Sequence, residues 1–479
     1  MKLRKSEKKR LLEIIKKNST KDMIVDGENK VNSKNLLPYI TQINRYLSEN
    51  KLEKETIIIQ IENRLHTLIF YLAAIFSNTT ICPLDPKLPK SRVQKIQKFL
   101  NAKKIIKKIK LTKSEKTDVS QLNLDNHNFL ITFSSGTSGE PKGIIHDSNN
   151  ILGVSLSYSK LAGFNKNTRI LHCLPEYYMA GIINTFLSCL CVGGQVTIIN
   201  SFSKRTIFDI WHIIMKFRIN VVYLIPSIYA MISNFSPANA RQIIKKNKIS
   251  FFSTGNNLYP NIRNTFFKKY QSKIKSCYGI TEMGGPLTNE IKPNLVHDSI
   301  GKLINGCKIK IKEINNKKIL FFKSEYICQS LLVNNKTQKI KVDAQGYYNS
   351  GDTGFIEKND IIITGREKDI LKKGSELIYL KDIENIIIGC DFIIDVAAVG
   401  IDDELSDEKL NIYLTSNLKK ITKKNIDHLV EEIRENMYKT ELPDKIIFIK
   451  KMPKTMTGKI IKRKLLSMNV SNKIKEVFL

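Results

Sequence analysis

The residues best suited to chemistry form one run, Ser134-Ser135-Gly136-Thr137-Ser138-Gly139-Glu140-Pro141-Lys142-Gly143. Its glycines permit positive φ and close backbone approach, its hydroxyls donate to phosphate oxygens, and Lys142 adds a mobile positive charge. The run follows a strand and precedes a helix that could begin at Ser148, and such a loop cradles a polyphosphate. The P-loop of NTPases is a different object, because it needs a hydroxyl directly after its lysine to hold magnesium. Here Gly143 follows Lys142, and the other Gly-Lys pair, Gly458-Lys459, is followed by Ile460. Taken alone, the run reads equally well as a flexible Ser/Gly turn, so its meaning depends on its company.

Further segments follow in order: C-P-L-D-P (82–86) upstream, then L-P-E-Y-Y-M-A-G (174–181), S-T-G-N-N-L (253–258), Y-G-I-T-E (278–282), Y-Y-N-S-G-D-T-G (347–354), G-R-E-K-D-I-L-K-K-G (365–374) and P-K-T-M-T-G-K-I (453–460). Each by itself has an ordinary reading as core packing, a strand-end turn, an Asp/Gly hairpin turn, a solvated charge run or a surface lysine. Their joint order resembles the adenylate-forming superfamily, which includes acyl-CoA synthetases, aryl-CoA ligases, luciferases and the adenylation domains of peptide synthetases. The resemblance covers nearly the whole chain.

That resemblance implies a role for each segment. Ser134, Ser135, Gly136, Thr137, Ser138, Gly139 and Lys142 would hold the ATP phosphates. Gly255 and Asn256 would lie along the adenine and acyl pocket, although Asn256 and Asn257 stand where small or apolar residues are frequent. Tyr278 would line the adenine site, Thr281 would contact the α-phosphate and Glu282 would help to place magnesium. A metal and positioned donors relieve the repulsion between an attacking carboxylate and a phosphate that is already negative. Asp352 would take the ribose diol, since a carboxylate accepts two hydrogen bonds, with Ser350 replacing the commoner threonine nearby. Arg366 would add a ribose or phosphate contact, Lys368 would be the hinge, and the Gly374 region would face the incoming thiol. Lys459 would be the adenylation lysine, bridging carboxylate and phosphate.

The implied reaction has two halves. A carboxylate and ATP give acyl-AMP and pyrophosphate, and a thiol then displaces AMP. ATP and magnesium are the implied cofactors, with coenzyme A as the expected acceptor and a phosphopantetheinyl carrier protein as the alternative. Carrier proteins are generally acidic, so a basic surface suits one, as it suits the phosphates of coenzyme A. No carrier-domain pattern follows Lys459. Tyr178, Met179 and Gly181 would line the acyl pocket, with Tyr178 where histidine is common, and these residues favour an apolar or aromatic acid. An amino acid substrate ranks low: Glu176 is the only acid near that segment that is apparent in the sequence. Other classes are a nucleotide-binding protein that never releases pyrophosphate, and a luciferase-like oxidative second step.

Around these segments, runs such as FLITF, RILHC, QVTII, NVVYLI and ISFFS alternate with helix-length periodic stretches between residues 129 and 277. That pattern predicts a parallel sheet layered with helices, and TIIIQI at 56–61 opens a similar unit. After Thr281 the short strands KIKIKE, KKILFFK and QGYYNSGDTG predict a β-rich subdomain. The fold class expected is α/β, with a large N-terminal domain (1–365) of layered α/β subdomains plus the β-rich one. A small mobile α+β C-terminal domain (366–479) follows, with a helix near 424–437 and a strand at 445–449.

Composition narrows the classes further. The chain has 479 residues, more than one core usually organises, and a net charge of +33. The charge raises nucleic acid as a partner, but it is mostly lysine spread over the whole length, with no zinc-finger or aromatic RNA-binding pattern, so none is expected. The eight cysteines lack a C-x-x-C pair and read as reduced core residues of a cytoplasmic protein. His146 and His172 lack metal-ligand spacing and read as structural. The basic N-terminus reads as a surface helix, and the longest apolar run, near 67–76, falls short of the roughly 20 residues a membrane span takes.

Overall fold

The structure, a computed structural model, describes residues 7–17, 20–112, 117–134, 142–199, 204–255, 258–293, 299–314, 316–373, 376–403, 407–418, 420–438, 441–455, 460–467 and 473–478. Arg169–His172, Gln195–Ile198, Val221–Leu224, Ser250–Ser253 and Ile274–Ser276 form a parallel array inside a seven-stranded sheet. All four residues of Val221–Leu224 are buried, as a strand covered by helices on both faces requires. Ile24–Asp26 and Asn29–Val31 complete that sheet beside Gln195–Ile198.

The FLITF run belongs to a second seven-stranded sheet, with Thr56–Ile59, Thr80–Pro83 and Lys104–Ile106 as parallel neighbours. The single parallel unit expected over 129–277 is therefore divided between two sheets. The helix Ser148–Ala162 starts at the residue predicted, capped by Asp147, whose side chain accepts the Asn150 amide at 2.7 Å. A strand, Lys142–Asp147, intervenes between the glycine-rich run and that helix, antiparallel to Asn128–Ser134. The β-branched pair Ile144-Ile145 suits this short return strand.

The β-rich region is a six-stranded sheet ordered Thr288–Asn289, Ser299–Leu303, Asp360–Arg366, Tyr348–Glu357, Lys317–Ser324, Cys307–Ile314. Beyond it, Ile393–Asp403, Asp407–Ser416, Lys445–Ile449 and Lys473–Phe478 form a four-stranded sheet. The helices Leu380–Ile387 and Lys423–Asn436 share with it a separate core that includes Leu371, Ile383, Val396, Leu410, Leu429 and Phe448. The mixed α/β class expected from the sequence is the class observed.

Two expectations about the ends of the hydropathy range resolve differently. Arg64–Ile75 is a buried helix, as its apolar run predicts. The N-terminal helix Glu7–Lys17 is more than a surface helix: it buries Leu11, Leu12 and Ile15, and also Lys8. Lys8 Nζ donates to the carbonyls of Asn123 and Asp125 at 3.3 and 2.5 Å and meets His127 Nδ1 at 3.0 Å. Burial lowers its pKa to about 8. No helix among the described residues is long and apolar enough to cross a membrane. All eight cysteines are free, and all but the half-buried Cys307 are buried.

Candidate active site

The site is built at the carboxyl ends of the parallel strands. The Cys277 amide donates to the Ser253 carbonyl at 2.8 Å, so the chain leaving Ile274–Ser276 runs beside Gly255, whose φ of +84° favours glycine. Tyr278 follows. Its hydroxyl donates to Asp352 Oδ2, while Arg366 Nε donates to Asp352 Oδ1 at 2.9 Å. Asp352 and Arg366 face one another in the pair Tyr348–Glu357 and Asp360–Arg366, which places Asp352 inside a long strand rather than at a hairpin turn. Asp352 is 4% exposed, and its amide donates to Ser350 Oγ at 3.0 Å, so serine supplies an anchoring hydroxyl here. Burial, then the charge of Asp352, push the Tyr278 phenol well up, and the same carboxylate pushes Arg366 up. A carboxylate has about four acceptor positions, so Asp352 keeps capacity for a diol.

Thr281 and Glu282 lie on the single helical turn Thr281–Met283. The Glu282 carbonyl accepts the Cys328 amide at 2.8 Å, and the Gln329 amide donates to Ile145 at 2.9 Å. Ser330–Val333 then pairs with the strand that Lys142 opens, Leu332 opposite Gly143. The strand Lys142–Asp147 is thus linked through Cys328–Val333 to the Glu282 turn. Glu282 is close enough to Tyr348 for its charge to add to the burial that raises that phenol.

The strand Gly285–Pro286, which follows that turn, lies beside a residue expected to line the acyl pocket. A Cβ on Gly285 would stand 3.0 Å from Ile183 Cδ1 and 3.5 Å from Met179 Cε. Gly181 is tighter still, since a Cβ there would meet the Pro175 carbonyl oxygen at 2.0 Å. Ala180–Leu187 is wound as a π-helix, a conformation frequent at functional sites. Asn184 Nδ2, on that segment, contacts Cys277 Sγ at 3.2 Å, which ties the π-helix to the residue before Tyr278.

Tyr178 packs on Tyr177, ring centroids 4.9 Å apart. The Tyr177 hydroxyl bonds to Asp85, and both phenols are raised by burial first and by Asp85 second. Asp85, from the C-P-L-D-P turn, is a neighbour of Tyr177 and Tyr178 that sequence reasoning missed. It lies far away in the chain, and only the neighbourhood of two sheets brings it near. It also corrects the expectation that Glu176 is the only nearby acid. Glu176 is itself committed elsewhere: it pairs with Arg64, whose Nη2 donates to the Leu174 carbonyl at 2.8 Å, and it lies 3.4 Å from His172 Nε2. Burial raises its pKa, but His172 and Arg64 outweigh this and the net shift is downward. His172 is structural, buried and bonded through Nδ1 to Thr185 Oγ1 at 2.8 Å.

Ser135, Gly136, Thr137, Ser138, Gly139, Asn256, Gly374 and Lys459 lie outside the described residues, as do the side chains of Ser134 and Lys368. Of the residues assigned to the site, the structure brings together Tyr278, Asp352 and Arg366 around one carboxylate. Met179 lies beside Gly285, seven residues along the chain from Tyr278. No group of three or more His, Cys, Asp or Glu side chains suited to a metal occurs among the described residues.

The sequence matches the AMP-binding enzyme family over residues 13–321 and the AMP-binding enzyme C-terminal domain over residues 382–459. The chain belongs to the AMP-binding enzyme family. This AMP-binding enzyme is 24% identical over 392 residues to malonate–CoA ligase of Xenopus laevis, covering 73% of this chain and 67% of that one. It is 27% identical over 363 residues to 2-succinylbenzoate–CoA ligase of Staphylococcus epidermidis, covering 74% and 73%. Its fold matches ATP-bound MatB of Rhodopseudomonas palustris with a TM-score of 0.84 at 18% identity, over 96% of this chain and 98% of that one. It also matches o-succinylbenzoate coenzyme A synthetase of Bacillus subtilis in complex with AMP, with a TM-score of 0.82 at 16% identity, over 97% and 99%. As an AMP-binding enzyme the chain falls in the adenylate-forming superfamily that its motif order resembles.

Proposed function

We propose that this enzyme is an acid–thiol ligase that uses ATP to activate a small-molecule carboxylic acid and transfers the acyl group to coenzyme A. The observation that carries the reading is the Tyr278–Asp352–Arg366 cluster, with Tyr278 leading into the strand pair Gly279–Ile280 and Gly285–Pro286, whose Gly285 lies beside Met179 and Ile183. One short segment thus serves a nucleotide at its start and an acid at its end. In the first half-reaction a carboxylate oxygen bonds to the α-phosphorus and the bond to pyrophosphate breaks. In the second, the thiol sulfur bonds to the acyl carbon, and AMP leaves as the carbon–oxygen bond breaks. Asp352 and Arg366 hold the ribose, Tyr278 packs along the adenine, and Thr281 and Lys142 meet phosphate. The names of the relatives, ligases joining acids to coenzyme A, support the choice of thiol. The +33 charge also suits an acidic carrier protein bearing phosphopantetheine, and competition between the two acceptors decides.

Glu282 fits a magnesium role, since this ion usually takes one or two carboxylates together with substrate phosphates and water rather than an all-protein cage. Bound there, magnesium would neutralise phosphate charge. The division of labour places residues 1–365 around ATP and acid and residues 366–479 in a cytoplasmic enzyme's smaller domain, with Lys368 as hinge and Gly374 toward the thiol. The separate core around Ile383 and Leu429 supports that division.

Acid-dependent pyrophosphate exchange across a panel of apolar, aromatic and dicarboxylic acids tests the reading. Exchange with at least one acid is expected, and none with any acid would sink it. Within the same assay, Asp352→Asn is expected to raise the KM for ATP about 10- to 100-fold, because hydrogen bonds to a charged group contribute about 1.5–3 kcal/mol each. An unchanged KM would remove Asp352 from the ribose site.

A further inference from the structure

Three ion pairs flank the loop that carries Lys459, and none has a part in the chemistry above. On one side Lys462 Nζ lies 3.0 Å from Glu384 Oε1 and 3.5 Å from Asp369 Oδ1. Glu384 projects from the helix Leu380–Ile387 and is 8% exposed; its Oε1 also accepts the Ala398 amide at 2.9 Å. Asp369 belongs to the turn Glu367–Asp369, which begins directly after Arg366, the residue that grips Asp352. On the other side Lys454 Nζ meets Asp395 Oδ1 at 2.5 Å, and Asp395 Oδ2 accepts Thr415 Oγ1 at 3.0 Å. Lys454 and Ile460 pair across the base of the loop, and the Ile461 amide donates to the Pro453 carbonyl at 2.8 Å.

Stability is a poor account of the Lys462 cluster. A partly buried ion pair spends much of its attraction on desolvation, and an apolar replacement is often no less stable. What an ammonium held by two carboxylates on separate elements does provide is a fixed direction. Burial lowers the Lys462 pKa, but Glu384 and Asp369 more than offset this and its net shift is upward, while burial raises that of Glu384.

We propose that Lys462 is a positioning residue for adenylation, fixing the end of the lysine loop, through Glu384 and Asp369, against the turn that follows Arg366. The inference rests on the adenylation reading above. Misplacing a reacting group by about 1 Å can cost about 100-fold in rate, so a loosened loop end should slow the half-reaction that uses Lys459 and spare the one that does not.

The test uses the full chain and an acid for which wild-type exchange has been established. Lys462→Met is expected to lower the kcat of exchange about 10- to 100-fold while the KM for ATP stays within about twofold. Lys462→Arg should recover most of the rate. The double variant Lys462→Met/Glu384→Gln removes a buried unpaired carboxylate and should fold with a near wild-type thermal midpoint, yet remain slow. Consumption of supplied acyl-AMP with coenzyme A should stay within about twofold of wild type in all three. Equal losses in both half-reactions, or wild-type exchange by a folded Lys462→Met protein, would overturn the positioning role and leave adenylation standing. Absence of wild-type exchange with every acid would overturn both.

Discussion

Lys459→Ala is expected to lower acid-dependent pyrophosphate exchange by about 10²- to 10³-fold, the usual cost of removing one preorganised donor from a developing charge. The attacking carboxylate and the α-phosphate are both anionic, and one ammonium placed between them acts most strongly where the charges crowd, at the transition state. Neighbouring lysines should not substitute. Lys454 is held by Asp395, and Lys462 by Glu384 and Asp369, so neither can swing into the gap without breaking its own contacts. Thiol attack on acyl-AMP has no such crowding of anions. The variant should therefore still convert supplied acyl-AMP and coenzyme A into thioester and AMP at close to the wild-type rate. Exchange within about tenfold of wild type would exclude Lys459 as the adenylation lysine.

The largest effect on stability is expected from Arg263→Leu, about 3–5 kcal/mol, the range for breaking a buried ion pair by removing one partner. Arg263, on the helix Pro260–Tyr270, is 2% exposed and Glu290 is 1% exposed. Arg263 Nη1 meets Glu290 Oε2 at 2.8 Å and the Ile274 carbonyl at 3.3 Å, while Nη2 donates to the Ser299 carbonyl at 3.3 Å. Glu290 Oε2 also accepts the Ser276 amide at 2.6 Å. The guanidinium thereby joins the parallel sheet to the β-rich sheet just before the chain reaches Tyr278. Burial raises the Glu290 pKa, and Arg263 opposes that rise. Without the arginine only the Ser276 amide opposes the rise, and the folded variant holds its proton more tightly than the unfolded chain does. Its stability should then fall as pH rises through that raised pKa and recover on acidification below it. Urea denaturation at several pH values measures both effects, and Arg263→Leu/Glu290→Leu should regain most of the loss. A midpoint within error of wild type at neutral pH would show that the pair is dispensable.

Much of the site could be read from local pattern. Tyr278, Asp352 and Arg366 were each marked by a short segment, and the structure gathers all three around one carboxylate. The strand FLITF and the helix start at Ser148 were also apparent, because alternation and side-chain capping are properties of a few adjacent residues. The intervening strand Lys142–Asp147 was not apparent. Six residues with two adjacent isoleucines carry little periodicity, and their identity as a strand comes from partners at Asn128–Ser134 and Ser330–Val333.

The sequence by itself determined which residue types were available for the chemistry and the order in which they occur: a hydroxyl and glycine run, Glu282, Asp352, Arg366 and Lys459. It also determined the local strands and helices, through periodicities of two and 3.6 residues that neighbours alone can express. Only the tertiary structure decided that the strand Asn128–Ser134 and the Arg169–His172 array belong to different sheets. The same is true of Glu176, neutralised by Arg64 while Asp85 stands beside Tyr177. It is also true of Lys462, drawn to Glu384 and Asp369. The reason is physical: an ionic or hydrogen-bonded partner distant in the chain is chosen by sheet order and burial, and neither is written in the spacing of adjacent residues.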